Sequence, residues 1–327
     1  MPTRPRVLVN MADLSPPAPP TPAPGPADPD ETELTTGADA AARVTAPVLI
    51  NGQGPYEFVV DTGANHSVLA SEVAAPLDLP TAGRAGVHGI AGVEPAETVL
   101  VRSLTIGTLT SRRIRAPLLP KARLGADGLL GVDVLKNRRV LIDFQRNELR
   151  IGSSREPSLL VGAPAGRLSS RQPDPSLVVV PARQRFGQLI IIDADIGGQP
   201  VTAFLDSGSQ NTVGNLALGR LLSANPVLAA QKMVVQLIGV TGQTVSGELF
   251  PIPPLRMGGL RIGNMSAVFV DLHVFDIWDL KDTPAILVGV DVMRHFRSIE
   301  LDFGGKKVTF QTGPGARPIP AEAGAAP

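Results

Sequence analysis

Two short stretches decide the fold: FVVDTG at residues 58–63 and AFLDSG at residues 203–208. In each, an apolar run of strand length ends in an aspartate, Asp61 or Asp206. A small hydroxyl residue and then a glycine follow, and glycine permits the sharp turn that such a position needs. Two copies of one strand-to-turn unit in a single chain indicate an internal repeat.

The repeat extends well beyond these two stretches, because further blocks recur in the same order in both halves. The spacing between the copies only grows along the chain, as it would if one copy had gained loop residues. The matched blocks after the aspartates are residues 88–92 and 238–242, 104–107 and 260–263, 129–135 and 287–293, and 141–144 and 300–303.

Length and composition fit two domains of ordinary size. The chain has 327 residues, no cysteine, one tryptophan, and 30 acidic and 30 basic side chains. The absence of cysteine excludes a thiol nucleophile, a disulfide scaffold and a Cys-ligated metal site. The balanced charge and the few aromatic residues argue against a nucleic-acid partner. No apolar run is long enough to span a bilayer as a helix.

The spacing of apolar runs and turn residues predicts the organisation of the chain. Beyond residue 43, short apolar runs bounded by Gly, Pro and Asn indicate a mostly β protein. Upstream, the proline-rich stretch 16–29 is typical of an extended spacer. We therefore expect an all-β, bilobal protein. Its predicted parts are a disordered segment at 1–42, lobes at 43–152 and 176–313, a linker at 153–175 and a disordered tail at 314–327.

The repeated Asp–hydroxyl–Gly unit has a chemical consequence if the two copies face each other. Asp61 and Asp206 would then lie within a few ångströms, and like charges that close cannot both ionise, so the pair shares one proton near neutral pH. The ionised carboxylate can deprotonate a water while the protonated one donates to the carbonyl oxygen of an amide. This chemistry requires no metal, thiol or cofactor, so we expect none.

With these motifs the sequence resembles the aspartic proteases of the pepsin and retropepsin type. The matching pieces are VVDTGANHSVL and FLDSGSQNTV, the Gly-rich hairpins HGIAG and IGVTG, and the apolar-apolar-Gly elements GLLGVDVL and ILVGVDVM. The resemblance covers about residues 43–152 and 176–312. It implies a bilobal acid-protease fold, with two tandem retropepsin-like β-barrel lobes related by pseudo-twofold symmetry, in a bacterial-style single chain.

The resemblance also implies roles for individual residues. Asp61 and Asp206 would be the catalytic pair of an aspartic endopeptidase. The Thr62 and Ser207 hydroxyl groups would form hydrogen bonds that cross-link the two aspartate loops. The residues expected to support the pair are Thr62, Gly63, Ser207, Gly208 and Ser209. The residues expected to contact a peptide, from flaps at 87–93 and 237–243, are His88, Gly89, Ile90, Ile238, Gly239 and Val240.

Two departures from the family pattern bear on function. The flap lacks the tyrosine of pepsin-like enzymes, and His88 stands near that position, where it binds substrate, senses pH or is simply exposed. The residue after each motif glycine also differs, Ala64 in one copy and Ser209 in the other. We expect Ser209 to donate to Asp206 and favour its ionised form, which would leave the proton on Asp61.

Three further features of the sequence carry expectations. Asp133 and Asp291, at matched positions of the repeat, are expected to cap short helices rather than to bind a metal. Residues 271–282 have no counterpart in the first copy and hold the single tryptophan. They form either a substrate-binding lip or docking surface, or an insertion packed against its own lobe.

The function that we expect from the sequence is hydrolysis of a polypeptide held in extended conformation. Activity should not require dimerisation, because one chain supplies both aspartates. The alternatives are a catalytically weak peptide-binding or regulatory module with the same fold and, more weakly supported, a carboxylate metal site. The sequence as written predicts a cytoplasmic protein, and an N-terminal signal missing from it would make the protein periplasmic or secreted.

Overall fold

The computed structural model describes residues 6–10, 31–39, 42–154, 174, 176–313 and 317–319. Strands dominate these residues, and the helices are short. The longest described helix has eight residues. No helix in the described ranges is long and apolar enough to cross a membrane.

The secondary-structure elements fall into two comparable series. Those of the first half are β1 (Arg6–Asn10), β2 (Thr32–Thr35), β3 (Gly37–Ala38), β4 (Val44–Ile50), β5 (Gln53–Val60), β6 (Val68–Ala70), α1 (Ser71–Ala74), a 3-10 turn (Ala75–Leu77), β7 (Thr81–Gly89), β8 (Gly92–Ile106), β9 (Leu109–Leu119), α2 (Lys121–Leu124), β10 (Gly128–Leu130), α3 (Val132–Leu135), β11 (Arg138–Asp143) and β12 (Glu148–Ser153). Those of the second half are β13 (Leu177–Arg185), β14 (Gln188–Ile196), β15 (Gln199–Leu205), β16 (Val213–Gly214), α4 (Leu216–Ser223), α5 (Pro226–Ala229), β17 (Met233–Ile238), β18 (Thr244–Ile252), β19 (Leu255–Met257), β20 (Leu260–Gly263), β21 (Met265–Phe269), α6 (His273–Ile277), β22 (Ala285–Val288), α7 (Val290–Met293), β23 (Ser298–Asp302), β24 (Lys307–Gln311) and β25 (Arg317–Ile319).

The first lobe is built on an eight-stranded sheet in the order β3-β4-β5-β10-β6-β9-β8-β7, with a further pairing between β4 and β8. Strand β10 lies between β5, to which it is parallel, and β6, to which it is antiparallel. The position of β10 beside β5 fixes the end of β5, because the Asp61 backbone N–H donates to the Leu130 carbonyl oxygen at 3.0 Å.

The second lobe repeats this arrangement. Strand β22 is parallel to β15 and antiparallel to β16. The Asp206 backbone N–H donates to the Val288 carbonyl oxygen, again at 3.0 Å. The apolar-apolar-Gly element of each copy is therefore the strand that anchors the aspartate loop of its own lobe.

A third sheet is shared by the two halves. Its order is β2-β12-β11-β23-β24-β13, and every neighbouring pair is antiparallel. Each half contributes three strands, and the halves meet where Leu141 of β11 lies opposite Glu300 of β23. The predicted all-β, bilobal architecture with pseudo-twofold symmetry is confirmed.

Residues 271–282 pack against their own lobe, which was the second of the two possibilities. Phe275 is 1% exposed and Trp278 is 3% exposed. The Trp278 ring stacks on Phe204 with 4.6 Å between ring centroids, and on Phe186 at 6.4 Å. The insertion thus supports β15, the strand that ends at Asp206.

Strands also occur in the terminal stretches for which the sequence predicts disorder. Within residues 1–42, β2 pairs with β12 and β3 with β4. Strand β1 is parallel to β20 and antiparallel to β25, which lies within residues 314–327. These strands have two to five residues each, too few for a periodic pattern to reveal them. The stretch 16–29 and most of the predicted linker lie outside the described residues, and the domain limits stay predictions.

Candidate active site

The two aspartate loops meet at the boundary between the lobes. The carboxyl groups of Asp61 and Asp206 are close enough that each affects the pKa of the other. Each motif glycine also lies against the opposite carboxyl group. A Cβ on Gly208 would stand 2.2 Å from the Asp61 carboxyl carbon, and one on Gly63 would stand 2.5 Å from that of Asp206. Only glycine leaves room for this approach.

The hydroxyl groups of Thr62 and Ser207 cross-link the two loops. The Thr62 N–H donates to Ser207 Oγ at 3.1 Å, and the Ser207 N–H donates to Thr62 Oγ1 at 3.0 Å. The Thr62 hydroxyl donates to the Leu205 carbonyl oxygen at 3.0 Å, and the Ser207 hydroxyl donates to that of Val60 at 2.7 Å. Both side chains are buried, so the network fixes the separation of the aspartates.

Both carboxyl groups accept backbone N–H groups from their own loops. Asp61 Oδ1 accepts backbone N–H groups from Gly63 and Ala64, each at 2.9 Å. Asp206 Oδ1 accepts from Gly208, also at 2.9 Å, and the Ser209 N–H is a second donor to this carboxyl group. N–H donors stabilise the charged form of a carboxylate, so the backbone of each loop opposes the effect of burial on its own aspartate.

Burial raises the pKa of both carboxyl groups. For Asp61, burial is opposed by the two N–H donors. For Asp206, burial and then the negative charge of Asp61 raise the pKa from its ordinary value of 3.8 to about 7. The pair therefore holds one proton near neutral pH, and the negative charge of Asp61 favours its placement on Asp206.

The Ser209 prediction holds for the backbone and fails for the hydroxyl, because the Ser209 N–H donates to the Asp206 carboxyl group and lowers its pKa. Its hydroxyl donates to the carbonyl oxygen of Asn211 at 2.8 Å and not to Asp206. Serine side chains readily bond to nearby backbone in this way, and the turn of the loop supplies the acceptor. The companion prediction, a proton on Asp61, is not supported, because the charge of Asp61 raises the pKa of Asp206.

Arg43 is a charged residue near the pair that the sequence analysis missed. The register of β4 and β5, continued by two residues, places Arg43 opposite Asp61. Its side chain is buried, with Nε donating to Asp39 Oδ2 at 2.7 Å and Nη2 donating to the Leu124 carbonyl oxygen. Its positive charge lowers the pKa of both aspartates and so opposes the effect of burial.

Gln188 occupies the equivalent place in the second copy, opposite Asp206 in the continued register of β14 and β15. It is 3% exposed, and its Nε2 donates to the Gly63 carbonyl oxygen and to Asn65 Oδ1, both at 3.1 Å. Gln188 thus holds the aspartate loop of the other lobe. The sequence held one signal for Gln188: this polar residue lies the same number of positions before Asp206 as Arg43 lies before Asp61.

Asp133 and Asp291 hold the far ends of the aspartate loops. Asp133 Oδ1 accepts from Ser67 N at 3.0 Å and Ser67 Oγ at 2.8 Å. Asp291 accepts from Thr212 N at 2.9 Å and Thr212 Oγ1 at 2.8 Å. The N-cap position of each helix is a glycine without a side-chain cap. The capping prediction is therefore wrong for Asp133, whereas Asp291 Oδ1 also accepts the Val292 N–H in the first turn of its helix, at 2.9 Å, and so binds both the loop and the helix end.

The two predicted flaps are hairpins whose tips contact each other. The tip between β7 and β8 places Gly89 against the Thr241 side chain, and Ile90 contacts Gly239 of the tip between β17 and β18. Val240 is partly buried against the core. The hairpins are therefore closed on each other in this structure.

Two other predicted flap residues are placed differently. Ile238 is 77% exposed. His88 lies on an exposed face of its hairpin, opposite exposed Val93, and its ring contacts His273. Within the described ranges, no three His, Cys, Asp or Glu side chains form a group that could hold a metal ion.

Two family models match the chain, one in each lobe. Residues 46–137 match the model described as gag-polyprotein putative aspartyl protease. Residues 192–292 match the model described as aspartyl protease. Each match contains one of the two aspartate loops. No curated protein matches the chain.

Proposed function

Because the chain belongs to the retropepsin-like aspartic protease family, with two aspartyl protease domains in tandem, we propose that it is an endopeptidase whose catalytic pair is Asp61 and Asp206. The observation that carries this proposal is the close approach of the two aspartate loops at the lobe boundary, where the pKa of both carboxyl groups is raised. A shared-proton pair supplies the base and the acid that amide hydrolysis requires.

The proposed mechanism gives the two carboxyl groups opposite roles. Ionised Asp61 removes a proton from a water, which attacks the carbonyl carbon of the scissile bond. Asp206 donates its proton to the carbonyl oxygen, so the tetrahedral intermediate is formed without a covalent bond to the protein. Its collapse returns a proton from Asp61 to the leaving nitrogen and one from the intermediate to Asp206, which restores the starting pair.

The proposed substrate is an extended polypeptide that lies between the aspartate loops and the flaps. Gly89, Ile90, Gly239 and Val240 are at or next to the flap tips and would contact its backbone. Because the tips contact each other, a flap must open to admit the substrate. One chain supplies both aspartates, so a monomer should be active.

The test is cleavage of an unstructured polypeptide by the purified protein at a series of pH values from acid to neutral. Asp61→Asn and Asp206→Asn should each lower the rate by at least ~10²-fold, because each removes one acid–base group. Asp78→Asn, at an exposed aspartate outside the site, is the matched control and should cleave normally. A statine-type transition-state mimic should inhibit.

Two results would contradict the proposal: no cleavage by the wild-type protein at any pH, or cleavage that survives both substitutions in the pair. Binding of the polypeptide without turnover would favour a peptide-binding module.

A further inference from the structure

The insertion at 271–282 reaches from the second lobe to the flap of the first. Its helix α6 begins at His273, whose backbone N–H donates to the Ile90 carbonyl oxygen at the flap tip, at 2.9 Å. The His273 ring contacts the same flap, with Nε2 lying 3.1 Å from His88 Nδ1. The insertion therefore holds the flap by one backbone bond and by one bond between the His88 and His273 rings, and we call these two histidines the latch pair. The flap tip is also held by the Ala91 N–H, which donates to Gln243 Oε1 at 3.3 Å, and by packing of Ile90 against the apolar cluster of the second lobe.

The geometry of the latch pair is that of a hydrogen bond between ring edges. The two ring planes differ by 8°, and their centroids are 5.3 Å apart. The ring planes are nearly parallel, and the two nitrogens are much closer to each other than the two centroids are. The rings therefore lie edge to edge and nearly in one plane. One nitrogen therefore donates and the other accepts, as neutral imidazoles can.

The two sides of this contact differ in how firmly they are held. On the second lobe, Phe275 and Trp278 are buried beneath α6 and anchor it. On the first lobe, the flap is a hairpin whose outer face is exposed at Gly86, His88 and Val93. A bond between the two joins a fixed element to the end of a hairpin.

We propose that His88 and His273 form a pH-sensitive latch that holds the first flap closed at neutral pH and releases it on acidification. The bond requires one N–H and one lone pair, so it persists while at least one ring is neutral. When both rings are protonated, two N–H groups face each other and two positive charges repel. Histidine is the side chain whose charge ordinarily changes between about pH 5 and pH 8.

The surrounding charged groups lie on the flap hairpin, on the insertion and on α2. Those of the flap hairpin and α2 are Arg84, Glu94, Glu97 and Arg123. Those of the insertion are Asp271, Asp276, Asp279, Lys281 and Asp282. Glu94 is paired with Arg123 at 3.0 Å, and Lys281 lies 3.9 Å from Asp271. Residues 234–246 of the second flap carry no charged side chain, so the repulsion within the latch pair is not offset from that side.

Opening and closing of the latch do not depend on the proposed function. Only the role of the latch in admitting a substrate rests on that function. If the chain is an endopeptidase, opening on acidification would admit a polypeptide at a pH where the aspartate pair still holds its proton. The same contact would restrict access at neutral pH and so limit cleavage of surrounding proteins.

The test measures flap opening directly and needs no cleavage. The chain has no cysteine, so Ala91→Cys on the flap tip and Lys281→Cys on the insertion can carry two spin labels at defined positions. The distance between the labels is measured at about pH 7.5 and about pH 5. Loss of one ordinary hydrogen bond should raise the open-to-closed ratio about five-fold, and charge repulsion should add to this.

Two variants in the labelled protein complete the test. His273→Gln keeps a donor and an acceptor but cannot take a charge, so the short distance should persist at both pH values. His66→Gln, at an exposed histidine away from the flap, should open on acidification as the wild type does. The proposal is overturned if the wild-type distance does not change, if His273→Gln opens on acidification, or if His66→Gln abolishes the response. Failure of cleavage alone would overturn the proposed function and leave the latch standing.

Discussion

Asp206→Asn should stabilise the folded protein at neutral and alkaline pH while it removes cleavage. Burial and the charge of Asp61 raise the Asp206 pKa from 3.8 to about 7, so between these values the folded protein holds a proton that the unfolded chain has released. The unfolded state binds fewer protons there, so the free energy of unfolding falls as pH rises through this window. Below the lower value both states are protonated, and no penalty remains.

The size of this penalty follows from the pKa. The difference between 3.8 and about 7 corresponds to about 4 kcal/mol, since one pKa unit is worth about 1.4 kcal/mol. The Asp206 side chain is only half-buried, and water screens part of the interaction, so about 4 kcal/mol is a ceiling. Asparagine has nearly the same shape and does not ionise. We therefore expect a gain of about 2 kcal/mol at pH 8 and none near pH 3.

Denaturant unfolding at these two pH values measures the gain. Trp278 is the single tryptophan and lies buried against Phe204 and Phe186, so its fluorescence reports loss of the second lobe, and circular dichroism reports the sheets. Asp78→Asn is the control and should change neither midpoint. An equal gain for Asp206→Asn at both pH values, or no gain at pH 8, would refute the assignment of the raised pKa to this residue.

Three further substitutions test the architecture of the site. Thr62→Val leaves two buried backbone groups of the opposite loop without partners and should lower the free energy of unfolding by about 2–4 kcal/mol; a denaturant titration with no change would contradict this. Gly208→Ala places a methyl carbon 2.2 Å from the Asp61 carboxyl carbon, so cleavage should fall by ~10²-fold or more with the circular dichroism spectrum retained. Gln188→Leu removes two hydrogen bonds to the first aspartate loop and should lower kcat more than it raises KM; a change in KM alone would argue against a positioning role.

The aspartate loops could be predicted because everything that defines them is contiguous. Each is a six-residue stretch in which the end of a strand, the aspartate, the hydroxyl residue and the glycine follow one another. The pattern occurs twice in the chain. The family models match the same two regions. The all-β, bilobal plan followed from the repeat, since two copies of one β unit must bury equivalent faces.

The contacts that support the aspartate loops and the flap from distant parts of the chain could not be predicted, because they depend on register and not on sequence order. Arg43 and Gln188 matter because each lies across a strand pair from an aspartate, and nothing adjacent in the chain marks them. The partner of His88 is 185 residues away, in a segment with no counterpart in the first copy. Ser209 has an acceptor within its own turn, which sequence spacing does not reveal.

The pairing of β11 with β23 has a consequence for how the two halves can change. Leu141 lies opposite Glu300, and these residues are counterparts in the repeat, so the strand pairs with its own copy about a central position. This is the isologous contact by which a single-lobe protein would form a symmetric homodimer. In such a dimer every substitution appears twice, on both sides of the axis. Joining the copies in one chain lifts that restriction, which is why an arginine can face one aspartate and a glutamine the other, and why only one lobe has the insertion at 271–282.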